Sequence, residues 1–319
     1  MKAIDGIHHV TAYASDPQRN YDFMTDVLGL RFVRQTLLYM PGQPIYHLYY
    51  GDRQGTPGTV LTYFPGVDMP EGQVGKGDIS SIGFTIPRGS VDYWTGRLEE
   101  HDIATEVTER FDETAISFTD PDGLPLELVT GDSDIDPWTE ADVPAKHGIR
   151  GIHDVAVTSA DPAGTFDVLE TMGWERLGRY DAPMSGDRIR FTPSEPAGHG
   201  RYLDVVVQPN LPSARKGIGM FVHVAFRVAN EWVQQEWSET LRENGYVTTS
   251  RKYRQEFRSM YLTEPGGATF EYATDGPGFT EHEDLAELGG ELQIPKTLRE
   301  AIDVPVEELK QELPEFEPR

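Results

Sequence analysis

A chain of 319 residues, 38% hydrophobic and 10% aromatic, is long enough for two ordinary domains with real cores. Its 53 acidic against 28 basic residues give a formal charge of −25, which argues against nucleic-acid phosphate and anionic membrane surfaces as partners. With no cysteine there is no disulfide frame and no thiolate, so any metal must sit on His, carboxylate or Tyr. No run approaches the roughly 18 apolar residues that span a bilayer, and Met1-Lys2-Ala3-Ile4-Asp5 lacks a signal-peptide core. The expected location is cytoplasmic. Lysine is scarce, seven against 21 arginines, and an acidic, lysine-poor composition reads as halophilic, suited to a salt-rich cytoplasm that screens self-repulsion.

Residues 6–13 alternate and are rich in β-branched and aromatic types, which predicts a strand. Asp16-Pro17 then supplies a helix cap and first-turn proline, with Tyr21, Met24, Val27 and Leu28 at helical spacing before Gly29. Three more strands are predicted around 31–38, 45–50 and 59–64, separated by Pro41-Gly42 and Gly55-Thr56-Pro57-Gly58, so the first unit reads βαβββ. A second unit opens near Ser80-Ser81-Ile82-Gly83-Phe84, continues through a helix expected to be capped by Ser90, and ends at the strand after Asp122-Gly123. A third starts at Gly151 with a helix capped at Asp161-Pro162, and a fourth runs from Phe221 through a helix led by Asn230 to Phe270-Glu271-Tyr272.

Gly6-Ile7-His8-His9-Val10 recurs as Gly151-Ile152-His153-Asp154-Val155, 145 positions downstream (8 to 153). Units two and four match with nearly the same displacement, 142 from Ser81 to His223 and 144 from Glu127 to Glu271. A period this long marks duplicated domains rather than a solenoid. The predicted class is α+β: four βαβββ units forming two curved, partly open, barrel-like sheets flanked by helices. The expected boundaries are a first pair over 1–135, a linker over 136–147, a second pair over 148–278 and an acidic tail over 279–319, part helical between 296 and 309.

The two copies differ where it matters chemically. His9, His223 and Glu271 in units one and four stand opposite Asp154, Ser81 and Glu127 in units three and two, so only one set retains both imidazoles. Both histidines fall on first strands and the glutamate on a last strand, so a sheet combining units one and four can direct all three into one concavity. Two imidazoles and a carboxylate form the facial triad of non-haem Fe(II) oxygenases, with positions left for substrate and dioxygen. Zinc and Mn(II) fit the same ligand types.

The motifs Gly6-Ile7-His8-His9-Val10-Thr11, Tyr46-His47-Leu48-Tyr49-Tyr50-Gly51-Asp52 with Gly55-Thr56-Pro57-Gly58-Thr59, and Pro265-Gly266-Gly267 leading to Phe270-Glu271 carry a resemblance. The chain resembles the vicinal oxygen chelate superfamily of glyoxalases and extradiol dioxygenases, and more closely the para-hydroquinone ring-cleaving dioxygenases, up to about Glu283. That resemblance implies Fe(II), or Mn(II), held by His9, His223 and Glu271, with unit one paired to unit four. It implies catalytic roles for His8 and Tyr261 in orienting substrate and moving protons, for Arg254 in stabilising negative charge, and for Thr11 beside the first ligand. The family often has a second histidine at the start of unit four, where this chain has Val222. His47 and Tyr49 read as packing residues of a half-buried strand. The implied partners are a small aromatic diol and O2, with neither nucleic acid nor membrane, and with a homo-oligomer left open. A catechol extradiol dioxygenase, a glyoxalase-type isomerase and a non-catalytic quinone- or metal-binding protein are the alternatives.

Overall fold

The computed structural model describes residues 4–40, 43–182, 186–195, 198–301 and 305–319. The first unit comprises β1 (Ile7–Ala14), α1 (Pro17–Asp22), β2 (Arg31–Met40), β3 (Gln43–Gly51) and β4 (Val60–Pro65). The second comprises β5 (Asp78–Ile86), α2 (Val91–Glu100), β6 (Glu106–Arg110), β7 (Glu113–Thr119) and β8 (Pro125–Thr130). The third has β9 (Ile152–Thr158), α3 (Pro162–Thr171), β10 (Trp174–Tyr180), β11 (Asp187–Pro193) and β12 (Tyr202–Val207). The fourth has β13 (Phe221–Val228), α4 (Glu231–Glu243), β14 (Lys252–Tyr253), β15 (Arg258–Thr263) and β16 (Thr269–Thr274). The tail adds β17 (Leu292–Gln293), α5 (Lys296–Ala301) and α6 (Val306–Gln311).

Local chemistry accounts for most of these boundaries. Asp16 and Asp161 each accept a backbone N–H at the start of their helices, from Arg19 and Gly164, and a proline follows each at the first helical position. Asn230 accepts from both Trp232 and Val233 at the head of α4. After α1 the chain continues as a π-helical turn, Phe23–Val27, which keeps Phe23, Met24 and Val27 buried. Ser90 does not cap α2: a 3-10 turn, Arg88–Ser90, runs straight into the helix, and the Ser90 hydroxyl instead lies 3.0 Å from His147 Nδ1.

The four units assort into two sheets. One runs β14-β15-β16-β13-β1-β4-β3-β2-β17 and the other β10-β11-β12-β9-β5-β8-β7-β6. Each sheet therefore joins units from opposite ends of the chain, four with one and three with two. At the centre of each, two first strands pair antiparallel, β1 with β13 and β5 with β9, and each is flanked by its own unit's last strand in parallel. The two half-barrel sheets with few helices make a glyoxalase-type α+β fold.

One large apolar cluster unites both sheets with all four unit helices, among them Tyr21, Trp94, Leu98, Val168, Leu169, Trp237 and Leu241. Trp174 of the second sheet meets Phe226 of the first edge-to-face at 5.3 Å, tying the sheets together. A second cluster contains Val33, Tyr49, Val60, Ala225 and Ala273 of the first sheet, packed with Phe257, Phe279 and Leu288. The tail supplies two of those residues and is pinned along β2, where Arg34, Arg31 and Gln35 donate to the carbonyls of Phe279, Leu285 and Gly289 at 2.9, 2.7 and 3.1 Å. Among the described residues no helix is long and apolar enough to cross a membrane.

Candidate metal centre

His9 on β1, His223 on β13 and Glu271 on β16 converge on the first sheet, with one ligand atom from each lying within 4.8 Å of the others. Their positions follow from register. Thr11 pairs with His223 and His9 with Ala225 across the antiparallel centre, while Ala225 pairs with Glu271 on the next strand. His9 Nε2 lies 3.3 Å from His223 Nε2 and 3.6 Å from Glu271 Oε2, and His223 Nε2 lies 2.8 Å from the same oxygen. All three side chains are buried.

The donor set suits a cation. Glu271 Oε1 accepts from the Ser259 hydroxyl, but Oε2 has no hydrogen-bond donor despite its short, misaligned approach to His223. A buried carboxylate oxygen without a donor is costly, and a metal between it and two imidazole nitrogens removes that cost. Burial acts to raise the Glu271 carboxyl, but His223, His9 and the Ser259 hydroxyl outweigh it and hold the group below the usual carboxylate range. Burial, with help from His8, His223 and Arg254, pushes His9 well below its ordinary value, so it is a neutral imidazole.

His8 determines which His9 nitrogen is bare. Its Nε2 lies 3.2 Å from the Thr274 carbonyl, which can only accept, so that nitrogen carries the hydrogen. Burial lowers His8 to about 4, leaving it neutral, and its Nδ1 must then accept from His9 Nδ1 at 2.9 Å. His9 is thereby held as the Nδ1–H tautomer, its Nε2 lone pair facing His223 and Glu271. Both His8 nitrogens are engaged, one with the Thr274 carbonyl and one with His9 Nδ1.

The remaining predicted residues surround the cluster. The Thr11 hydroxyl lies 2.8 Å from His223 Nε2. Tyr261, paired with Glu271 across β15 and β16, presents its ring edge-on to His223 at a centroid distance of 5.5 Å. Arg254 Nη2 donates to the Tyr261 hydroxyl at 3.2 Å, and burial, with the Glu271 charge, pushes that hydroxyl up to about 12. His47 and Tyr49, read above as packing, instead join the polar surroundings. Tyr49 meets His47 Nδ1 at 2.8 Å, His47 Nε2 meets Thr62 at 2.9 Å, and Thr62 meets Thr11 at 2.8 Å. Phe257, also unforeseen, packs against both His8 and His9, with ring centroids 5.1 and 4.9 Å away.

The equivalent place in the second sheet is closed by a fixed cation. Arg110 of β6 donates to both oxygens of Glu127 and lies 3.9 Å from Asp154, while Arg188 lies 3.5 Å from Glu127 and 3.8 Å from Asp154. Asp154 also contacts His153 at 2.7 Å. The carboxylates left in this copy face two guanidinium groups, which compensate their charge although Asp154 Oδ2, like Glu271 Oε2, has no hydrogen-bond donor.

Residues 6–128 match the family described as the Glyoxalase/Bleomycin resistance protein/Dioxygenase superfamily. The chain is 37% identical to a Bacillus subtilis (strain 168) protein named "Putative ring-cleaving dioxygenase MhqE", over 92% of this chain and 94% of that one. It is 32% identical to a chlorohydroquinone/hydroquinone 1,2-dioxygenase of Sphingobium indicum, over 91% of each. A crystal structure of a "putative dioxygenase" from Bacillus subtilis superposes with a TM-score of 0.91 at 34% identity, covering 100% of this chain and 99% of that one. Glyoxalase I of Zea mays, 14% identical with a TM-score of 0.62 and covering 90% of this chain and 97% of that one, shares the fold. With a triad-bearing sheet of units one and four and this likeness over nine-tenths of its length, the chain belongs to the vicinal oxygen chelate superfamily of glyoxalases and dioxygenases, among relatives named ring-cleaving dioxygenases.

Proposed function

We propose that the protein is a non-haem Fe(II) dioxygenase that opens a hydroquinone-type aromatic ring with O2, with Mn(II) as the alternative metal. The observation that carries this reading is the buried His9–His223–Glu271 cluster, whose Glu271 Oε2 lacks a donor, in a chain whose relatives are named ring-cleaving dioxygenases. Iron bound there would supply open coordination positions and electron transfer between substrate and O2. The chain's own residues supply orientation and charge. His8 keeps His9 Nε2 available, and Ser259 restricts Glu271 to one free oxygen. Arg254 and Tyr261 form one hydrogen-bonded wall, which suits stabilisation of negative charge on an oxygen of the bound ring. A glyoxalase-type reading finds less support, because the position nearest a further ligand is Thr62, whose hydroxyl is engaged with Thr11 and His47. The acidic, lysine-poor composition fits a halophilic cytoplasmic setting for this activity.

The test is anaerobic reconstitution with Fe(II), addition of hydroquinone or catechol, and admission of air. Oxygen uptake with a ring-opened product from hydroquinone is expected; uptake with catechol alone would move the assignment to an extradiol enzyme, and uptake with neither would remove it. His9→Ala should lose the bound iron, read by metal analysis of the purified variant.

A further inference from the structure

Four hydrogen-bonding side chains run in file from the β3 face to the candidate metal centre: Tyr49, His47, Thr62 and Thr11. Each link is between 2.8 and 2.9 Å, and every member is buried. All four can either donate or accept along the file, so its polarity is set at the closed end. Among the described residues, the partner of the Tyr49 hydroxyl is His47 Nδ1. If His47 Nδ1 carried the hydrogen, the buried Tyr49 hydroxyl would lose its acceptor among the described side chains, a loss roughly equal to one buried hydrogen bond. Tyr49 therefore donates to Nδ1. A neutral His47 then carries its hydrogen on Nε2 and donates to Thr62, Thr62 donates to Thr11, and the Thr11 hydrogen points to His223 Nε2, 2.8 Å away, whose lone pair a bound metal would take, freeing that hydrogen for another acceptor.

We propose that Tyr49 and His47 are positioning residues of a one-way hydrogen-bond relay that, through Thr62, presents the Thr11 hydroxyl as a fixed donor to an oxygen of the bound ring. What that donor meets rests on the ring-cleavage reading; the direction of the file does not. A donor held in place before the reaction acts on charge that grows in the transition state, so its removal lowers kcat more than it raises KM. Thr62 is thus a link of the relay, which also accounts for a buried threonine facing a metal centre without serving it as a ligand.

The direction is tested without turnover. Ring-nitrogen NMR of the full-length protein, metal-free and again with zinc loaded, should find His47 as the Nε2–H tautomer, and Tyr49→Phe should convert it to a mixture or to the Nδ1–H form. An Nδ1–H tautomer in the parent protein overturns the relay, whatever reaction the protein catalyses. Activity then tests the consequence. With Fe(II) and hydroquinone, Thr11→Val should lower kcat about a hundredfold and Tyr49→Phe about tenfold at nearly unchanged KM, with iron content retained. The double variant should be no slower than Thr11→Val alone, because both changes break one file. Thr11→Ser should restore most of the rate, which separates loss of the hydroxyl from loss of fold. Losses that multiply in the double variant would overturn the proposal, whereas absence of hydroquinone turnover in the parent would count against the ring-cleavage reading and leave the NMR result standing.

Discussion

His8 sets the direction of a lone pair rather than joining the ligand cluster, so its replacement should be read in metal affinity. His8→Phe removes the acceptor for His9 Nδ1–H while keeping a ring in place. We expect a folded protein whose affinity for Fe(II) or zinc falls about 10–100-fold, measured by titration against a competing chelator. Unchanged affinity would mean that His9 is held by other contacts. At Glu256 the sign of the pH response is fixed by burial, which, against Arg34, pushes the carboxyl up to about 7. Because the folded pKa exceeds the unfolded value of 4.5, the native state keeps a proton that the unfolded chain gives up, and stability declines as pH rises from about 4.5 to 7. Glu256→Gln should flatten that part of the profile in urea unfolding series at pH 5, 6 and 7. The three residues of the candidate metal centre stood out in the sequence because one copy of the repeat keeps the imidazoles and the other lacks them. His47 and Tyr49 were not, since alternation along β3 looks the same whether the inward face meets a core or a polar file.

At the scale of elements, the strand–helix units were readable because their ends carry explicit chemistry: Asp-Pro caps, Pro-Gly turns, and period-two alternation between them. Ser90 misled because the 3-10 turn Arg88–Ser90 moves the extended entry residue back to Pro87, which has no side-chain acceptor. The tail was the least legible element, since what holds it lies far away in the sequence. Arg34, fully buried on β2, donates to the Phe279 carbonyl and contacts Glu283 at 3.1 Å and Glu256 at 3.4 Å, so one side chain joins the strand, the tail and the segment bearing Arg254. At pH 8, above the range in which Glu256 keeps its proton, Arg34→Met would leave two carboxylates buried without their cation. We expect a loss of about 3–5 kcal/mol, visible in chemical unfolding, together with faster proteolysis after residue 278. A loss below about 1 kcal/mol would show that the tail is held mainly by Phe279 and Leu288.

Taken as a whole, the molecule is asymmetric in its use of charge. Its second sheet neutralises Glu127 and Asp154 with Arg110 and Arg188, so loading with excess metal should stop at one ion per chain, as counted by metal analysis after desalting. A second tightly held equivalent would contradict this. The formal charge of −25 repels itself, and salt screens that repulsion. The thermal midpoint should therefore rise between 0.05 and about 2 M KCl; equal midpoints would remove the case for adaptation to a salt-rich interior.

The assortment of units into sheets also governs how the chain reaches its native state. β1 is among the first strands to leave the ribosome, but its antiparallel partner β13 is separated from it by most of the chain. At roughly 5–20 residues per second, β1 waits on the order of 10–40 s with one edge unpaired. Unit two waits for unit three as well, over about a third of that separation, so neither sheet can close from the first half alone. When full chains refold together at high concentration, unit four of one molecule competes with that of its neighbour for the same edge. The expected by-product is an exchanged dimer whose candidate centres each draw His9 from one chain and His223 and Glu271 from the other, separable by size from the unexchanged protein.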